Sequence, residues 1–390
     1  MKIVMVIDRF GDVKNGAIQS TIRFVEYLRK KHEVTVIAAG DDQAGMIKLQ
    51  SFFIPFVKQK MIQNGMFFAF PEKDLIVKTI RDADIVHIQF PFYLGWKVAE
   101  WTKELNKPLV CSYHVQPENI LYNLGIRSKF LINKLHRFFN SRFYNLADAV
   151  ISPSQLGRNE LLSHGLTVPC HVISNGYIHE FNYNFENEKI DFEDRFVILS
   201  LGRISREKNH LLLVDAIYNS KYRNSIQLVI IGNGPDREKL KNKMKKLPNA
   251  ILTGSLPQEM LLSYFNSAHI YIHPSLVELE SLAVLEAMAE GLPIIVSNSP
   301  CSAAQQFVTD EKRIFQFDDS RSLTEKINYF FENRDELDKA ADLSLQMVKN
   351  YTIEESVKKL LDVYNKCIGG NVLEENIVVS EKEKLPSMSH

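Results

Sequence analysis

Two acidic and two basic residues stand where side chains of their kind do chemistry. Glu278 and Glu286, with seven residues between them, lie in His273-Pro-Ser-Leu-Val-Glu-Leu-Glu-Ser-Leu-Ala-Val-Leu-Glu-Ala-Met-Ala-Glu-Gly-Leu-Pro293. That segment reads as a strand end, a loop and a helix starting near Ser281, stopped at Gly291. Glu278 then sits in the loop and Glu286 on the second helical turn. Both carboxylates can face one ligand, because a helix N-terminus at a strand end opens into a binding crevice. The plainer reading is that Glu278 and Glu280 complement the helix dipole while Glu286 is solvated. Arg203 and Lys208 follow another apolar run in Gly202-Arg-Ile-Ser-Arg-Glu-Lys208. A fixed guanidinium fork and a point charge at a strand end stand where ligands of doubly wound folds bind, against the plainer reading of a merely solvated loop.

Smaller signals surround these four. Asn15-Gly16 opens a helix after the first apolar run, and the turn Gly232 to Pro235 offers close backbone approach. His114 follows the run Leu109 to Ser112, where a lone histidine is more often structural than catalytic. Asp82-Ala-Asp84 has the look of a metal-binding pair, but it precedes the run Ile85 to Ile88 and so lies at the wrong end of a parallel strand for a ligand. No His or Cys cluster has metal-ligand spacing, and no metal is expected.

The elements that must position these groups are legible as rhythm. Apolar blocks recur at Ile3 to Ile7, Val34 to Ala38, Ile85 to Ile88, Leu109 to Ser112 and Ala149 to Ser152, separated by helix-length segments. The pattern restarts at Phe196 to Leu201, Leu228 to Ile231, Ile251 to Leu252, Ile270 to His273 and Pro293 to Val296. Such blocks are what parallel sheets covered on both faces require, so the fold class is α/β with two doubly wound Rossmann-like units facing across a cleft. We divide the chain into an N-terminal unit (1–179), an acidic linker (180–195), a C-terminal unit (196–352), a terminal helix returning to the N-terminal unit (353–368) and a frayed polar tail (369–390).

Composition excludes other classes. The 390 residues carry 47 basic and 47 acidic side chains, so no global field recruits nucleic acid. Four scattered cysteines fit free thiols in a reducing compartment, which makes the cytoplasm the expected location. No stretch approaches about 20 uninterrupted apolar residues, so a spanning helix is not expected, while contact with one membrane face stays open.

The motif Pro274-Ser-(x)2-Glu-(x)3-Leu-(x)2-Leu-Glu-Ala-Met-Ala-x-Gly-Leu-Pro293 resembles the E-x7-E signature of retaining glycosyltransferases of family four, which have the GT-B fold. Gly202-Arg203-(x)3-Glu-Lys208, Pro153-Ser154, Ser174-Asn175-Gly176 and Ile231-Gly-Asn-Gly-Pro235 agree with it, and the resemblance spans residues 1–367. It implies a nucleotide-sugar substrate, a UDP-hexose first, with no cofactor. Arg203 and Lys208 are then expected to stabilise the departing diphosphate in place of a metal, Glu286 to accept from ribose hydroxyls, and Glu278 to hold the donor sugar beside Leu282 and Ala283. Gly16 resembles one member of a glycine pair beside the diphosphate, with Asn15 standing for the other. His114 resembles a histidine near the transferred sugar, and Glu118 is a candidate for steering the acceptor hydroxyl. The chain departs from the family at Leu279-Glu280-Ser281, where a glycine-containing turn is usual and Glu280 adds a carboxylate near the sugar, and at Ser299-Pro-Cys-Ser-Ala303.

The acceptor rests on composition. From Asn119 to Ala147 there is no acidic residue, and Arg127, Lys134 and Arg137 alternate with Leu131, Leu135, Phe138, Phe139 and Phe143. At 100° per residue the apolar group falls largely on one side and the cations on another, as in a helix lying on an anionic membrane. Ser51 to Phe70, with six phenylalanines and no acid, has a similar composition. The plainer reading packs both apolar faces on the N-terminal sheet. A diacylglycerol-type lipid acceptor at the inner membrane face is the leading expectation. A saccharide or lipid-linked saccharide acceptor is the alternative, and a non-catalytic nucleotide-sugar-binding subunit is the rival of another class.

Overall fold

The computed structural model describes residues 1–11, 15–53, 68–123, 125–178 and 189–370. Its apolar runs pair into two parallel sheets. The N-terminal sheet has seven strands in the order Met46–Lys48, Glu33–Gly40, Lys2–Phe10, Ile85–Ile88, Leu109–Ser112, Ala149–Ser152 and Cys170–Val172. The C-terminal sheet has six, in the order Ala250–Gly254, Ile226–Ile231, Phe196–Leu201, Ile270–His273, Ile294–Ser297 and Ile314–Phe315. Each is covered on both faces, and alternation along a strand divides the side chains between them. Val4 and Val6 point to one N-terminal core while Ile3, Met5 and Ile7 point to the other. Phe196 and Ile198 are separated from Val197 and Leu199 in the same way.

Both sheets reverse their strand order beside the first strand of the unit, between Lys2–Phe10 and Ile85–Ile88 and between Phe196–Leu201 and Ile270–His273. A crevice forms at such a reversal because the flanking helices leave on opposite faces. The loops that carry Gly16, Arg203 and Glu278 all follow these central strands. Asp84, at the other end, accepts from the backbone N–H of Lys2 at 2.7 Å and so fastens the start of the sheet.

The chain passes between the units twice, side by side. Tyr177 N–H donates to Tyr351 O and Ile353 N–H to Tyr177 O, both at 2.9 Å. Gly176 holds φ +72°, and a Cβ there would lie 2.7 Å from Ile353 Cα, so the close passage requires glycine. Thr352 caps the helix Ile353–Ile368, which lays Leu360, Val363 and Tyr364 on the N-terminal core. Tyr364 Oη and His87 Nδ1 are 2.6 Å apart, and His87 Nε2 is 2.8 Å from Ser112 Oγ. Burial, with His114 nearby, holds His87 neutral, its pKa lowered to about 3. Ile190 and Phe192 of the expected linker pack on the C-terminal core. Residue 179 and positions 180–188 of that linker, the tail from 371 and residues 54–67 of the phenylalanine-rich segment lie outside the described residues.

Candidate functional site

A cleft of about 850 Å³ opens between the two sheets. It brings together Gly16, His114, Arg203, Lys208, Glu278, Leu282, Ala283 and Glu286. Two helix N-termini border it, Gly16–Arg29 from one unit and Leu282–Ala289 from the other, neither with an acidic residue in its first turn. The positive end of each helix dipole favours an anion. Asn15 does not take the left-handed conformation that would replace a glycine. It is extended (φ −127°), and its side chain caps the helix by accepting from Ala17 and Ile18 N–H at 3.0 and 3.4 Å. A Cβ on Gly16 would meet nothing within 4 Å, so this position is open towards the cleft.

On the C-terminal side the cations are tied in place. Glu207, 2 % exposed, accepts from Ser205 Oγ at 2.6 Å and lies 3.5 Å from Arg203 Nη2. Its backbone oxygen accepts from Leu276 N–H at 2.7 Å, which joins the Arg203–Lys208 loop to the Glu278 loop. Lys208 Nζ pairs with Glu278 Oε2, and His273 Nε2 lies 3.3 Å from the same oxygen. Burial alone would raise the Glu278 pKa, but Lys208 and His273 together outweigh it and leave it below the ordinary value. His210, beside them, is held neutral by burial and by the charges of His273 and Lys208, its pKa lowered to about 3.

On the N-terminal side His114 is pressed down to about 4 by burial and is uncharged at neutral pH. Its Nε2 lies 3.0 Å from Gln89 Oε1, which fits the tautomer protonated on Nε2 and bare on Nδ1.

Several contacts cross the cleft, and sequence reasoning missed them. Arg23, 8 % exposed, donates from Nη1 to Gly176 O at 3.1 Å and from Nη2 to Glu286 Oε1 at 2.6 Å. Leu279 leaves its own unit and is buried in the N-terminal core, where a Cβ on Gly157 would lie 2.8 Å from its Cδ2. Glu280 accepts from Asn175 N–H at 2.6 Å and is raised to about 8 by burial, with Oε1 buried and unbonded. Glu280 also lines the cleft, and its carboxyl is held there by the backbone at the crossing between the units. Gln116 Nε2 donates to Cys301 O at 3.3 Å. Of these only Arg23 left a trace in the sequence: Gly16, Gln19 and Arg23 recur at helical spacing on one face. The loop Ser255–Pro257 also lines the cleft and follows the strand Ala250–Gly254, so the strand-end rule that found Arg203 applies to it as well.

Other expected site residues lie elsewhere. Gly232 does not line the cleft. At φ +146° a Cβ on it would lie 1.9 Å from Gly202 O, so the approach it permits is of one strand-end loop to another. Glu118 is buried behind the cleft wall, where both carboxylate oxygens lie 3.1–3.2 Å from His136 Nε2. It is not among the residues that line the cleft. Glu160 completes that cluster, with its carboxylate accepting from Tyr113 Oη–H and Gln116 Nε2–H, both at 3.0 Å.

Arg127, Lys134 and Arg137 are exposed, the latter two on the helix Lys129–Arg142. The expected split of that helix is corrected. Ile132, His136, Phe139 and Asn140 are its buried face, whereas Leu131 (41 % exposed) and Phe138 (42 %) join Phe130 (74 %) on the same outer surface as the cations. Phe138 stacks edge-on against Trp96 at 5.2 Å, which leaves part of it in solvent. No described helix is long and apolar enough to cross a membrane.

Comparison with known proteins agrees with the geometry. The family model described as Glycosyltransferase Family 4 matches residues 14–181, and that of Glycosyl transferases group 1 matches residues 182–347. The chain is 28 % identical to alpha-monoglucosyldiacylglycerol synthase of Streptococcus pneumoniae over 322 residues, covering 77 % of this chain and 72 % of that one. It is 25 % identical to a GDP-mannose-dependent alpha-mannosyltransferase of Corynebacterium glutamicum over 312 residues, covering 76 % and 72 %. Its fold is similar to that of Anabaena HepE, crystallised in complex with UDP, at a TM-score of 0.70 and 16 % identity, with 94 % of this chain and 100 % of that one covered. The paired sheets, the cleft at their reversal points and the two contiguous family matches lead to one conclusion: this chain belongs to the family-four glycosyltransferases of the GT-B fold.

Proposed function

We propose that the chain is a retaining, metal-independent hexosyltransferase that takes a hexose, glucose first, from a UDP-sugar and delivers it to a hydroxyl of a diacylglycerol-type lipid. It works as a cytoplasmic protein held at the inner face of the membrane. The observation that carries the reading is the meeting of Arg203, Lys208, Glu278 and Glu286 with two helix N-termini, neither with an acidic residue in its first turn, in one cleft. A diphosphate gathers negative charge as its bond to the anomeric carbon breaks, so cations and amides fixed beforehand stabilise that state more than the ground state. Arg203 and Lys208 supply the charge that a divalent ion supplies in other transferases. Glu278, kept ionised by Lys208, accepts from sugar hydroxyls, and Glu286 accepts from the ribose.

In the transfer step the bond from the anomeric carbon to the diphosphate oxygen breaks and the acceptor oxygen bonds to the same face of that carbon. The acceptor proton passes to the departing phosphate oxygen, so no protein nucleophile is needed. Neutral His114 lies beside the sugar as a hydrogen-bonding partner.

The lipid acceptor draws support from the outer face of the helix Lys129–Arg142, where Phe130, Leu131 and Phe138 stand among Lys134 and Arg137 with no acid. The similarity to a glucosyldiacylglycerol synthase points the same way. The test is transfer from a panel of UDP- and GDP-sugars in EDTA, with and without diacylglycerol in anionic vesicles. Vesicle-dependent transfer from one UDP-hexose is the expected result. Transfer from GDP-mannose refutes the donor, transfer indifferent to lipid refutes the acceptor, and loss of activity in EDTA refutes metal independence.

A further inference from the structure

Glu286 is placed to accept from the nucleotide ribose, yet its carboxylate is already held from the opposite side of the cleft. Arg23 belongs to the first helix of the N-terminal unit and reaches Glu286 Oε1 at 2.6 Å with one arm of its fork. The other arm donates to Gly176 O at 3.1 Å, at the passage between the units. Both side chains are largely buried, at 10 % and 14 % exposure, so the pair is shielded from the water that weakens surface ion pairs. Among the described residues nothing else bonds the second oxygen of Glu286, which lines the cleft. A guanidinium tethered by one arm to a backbone carbonyl restrains the carboxylate oxygen that its other arm meets and leaves the second oxygen to another donor.

We propose that Arg23 is a positioning residue for the donor nucleotide: it orients Glu286 so that the remaining oxygen meets a ribose hydroxyl. The donor site is therefore not the property of the C-terminal unit alone, since one of its carboxylates takes its orientation from the unit that carries the acceptor. Leu279, seated in the N-terminal core seven residues before Glu286, anchors the loop that leads into the Glu286 helix. The inference rests on the nucleotide-site reading given above.

The experiment is calorimetric titration of the full chain with UMP and UDP, and with GMP and GDP, using wild type, Arg23→Ala, Arg23→Lys, Glu286→Gln and the double variant Arg23→Ala/Glu286→Gln. Arg23→Ala is expected to weaken the preferred nucleotide about 5–20-fold, by the same factor for mono- and diphosphate. The double variant is expected to bind no more weakly than Glu286→Gln, because Arg23 acts through Glu286. Arg23→Lys keeps a cation for Glu286, and its affinity is expected within threefold of wild type. Unchanged affinity in Arg23→Ala overturns the proposal. So does a loss confined to the diphosphate, which makes Arg23 a phosphate ligand, or additivity in the double variant, or a loss in Arg23→Lys as large as in Arg23→Ala. If the wild type binds none of the four nucleotides, the site reading itself has failed. A nucleotide bound with equal affinity by Arg23→Ala leaves the site reading standing and removes Arg23 alone.

Discussion

Replacing Lys208 by Met separates the two duties given to this side chain. A unit charge about 4 Å from a phosphate oxygen is worth about 4 kcal/mol at an effective dielectric constant of about 20. Removing one preorganised stabilising group from a transition state generally costs about 2.7–4 kcal/mol, or about 10²–10³-fold in rate. Lys208 is partly neutralised by its pairing with Glu278, so the lower end applies, about 10²-fold in kcat. The second duty appears in the pH profile. In the wild type Glu278 is held below its ordinary pKa, so the stability from the pair is present above the unfolded value and disappears as pH falls through the folded one. Without Lys208, burial is opposed by His273 and no longer by the cation, so the carboxyl shifts upward and protonates at higher pH. Steady-state donor hydrolysis from pH 5 to 9 should then show a kcat/KM that climbs with pH in the variant over a range where the wild type is flat. The side chains are 20 % and 14 % exposed, and the unpaired Glu278 should lower stability by about 1–3 kcal/mol in a urea melt. A Lys208→Met enzyme with kcat within threefold of wild type at every pH refutes both duties.

Gly16→Val should fold with the wild-type melting temperature, because a Cβ there points into open space, and should lose UDP affinity about tenfold or more by calorimetry; unchanged affinity removes Gly16 from the diphosphate site. Leu279→Ala should cost about 2–4 kcal/mol in a urea melt, as a leucine removed from a packed core does, and wild-type stability would mean the side chain is not seated against Gly157. Glu280, raised to about 8, binds a proton in the folded chain over a range where the unfolded chain has lost it, so stability should fall as pH rises from about 4.5 through about 8. Glu280→Gln should flatten that fall and melt above the wild type at pH 9, and parallel curves would contradict the burial argument. Phe130→Ser with Lys134→Glu and Arg137→Glu should abolish cosedimentation with anionic vesicles without altering the melting temperature, since all three side chains are exposed.

Strand positions were legible wherever a short apolar run is closed on both sides by polar or turn residues. Ile85–Ile88, Leu109–Ser112, Ala149–Ser152, Phe196–Leu201 and Ile270–His273 have the bounds read from the sequence. The edge strands Met46–Lys48, Cys170–Val172 and Ile314–Phe315 were not, because an edge strand of two or three residues carries no run to detect. Arg203, Lys208, Glu278 and Glu286 followed from the strand-end rule and from the spacing of the two carboxylates, whereas Ser255–Pro257 did not. Arg23 and Leu279 did not, for a physical reason: periodicity reports which face of an element is apolar, not which of two units covers it. The outer face of Lys129–Arg142 was misdivided in the same way. A helical plot grouped Leu131 and Phe138 with Phe139, and only the position of the neighbouring sheet decides that Phe139 is covered while Phe130, Leu131 and Phe138 are not.

The helix Ile353–Ile368 has a consequence for the order in which the protein comes into being. Its Leu360, Val363 and Tyr364 close a core whose other walls, sheet strands and the helix Gly16–Arg29, are made well before them, and Tyr364 supplies a partner to His87, deep in that sheet. The ribosome therefore releases the first half with an uncovered apolar face, and must complete the second half before the residues that cover it emerge. The C-terminal unit, whose cores draw on residues 177–348, has all its material first and is free to fold while its predecessor waits. The N-terminal unit is finished last, and a chain interrupted near residue 350 would keep a packed C-terminal unit attached to an N-terminal unit open along one side.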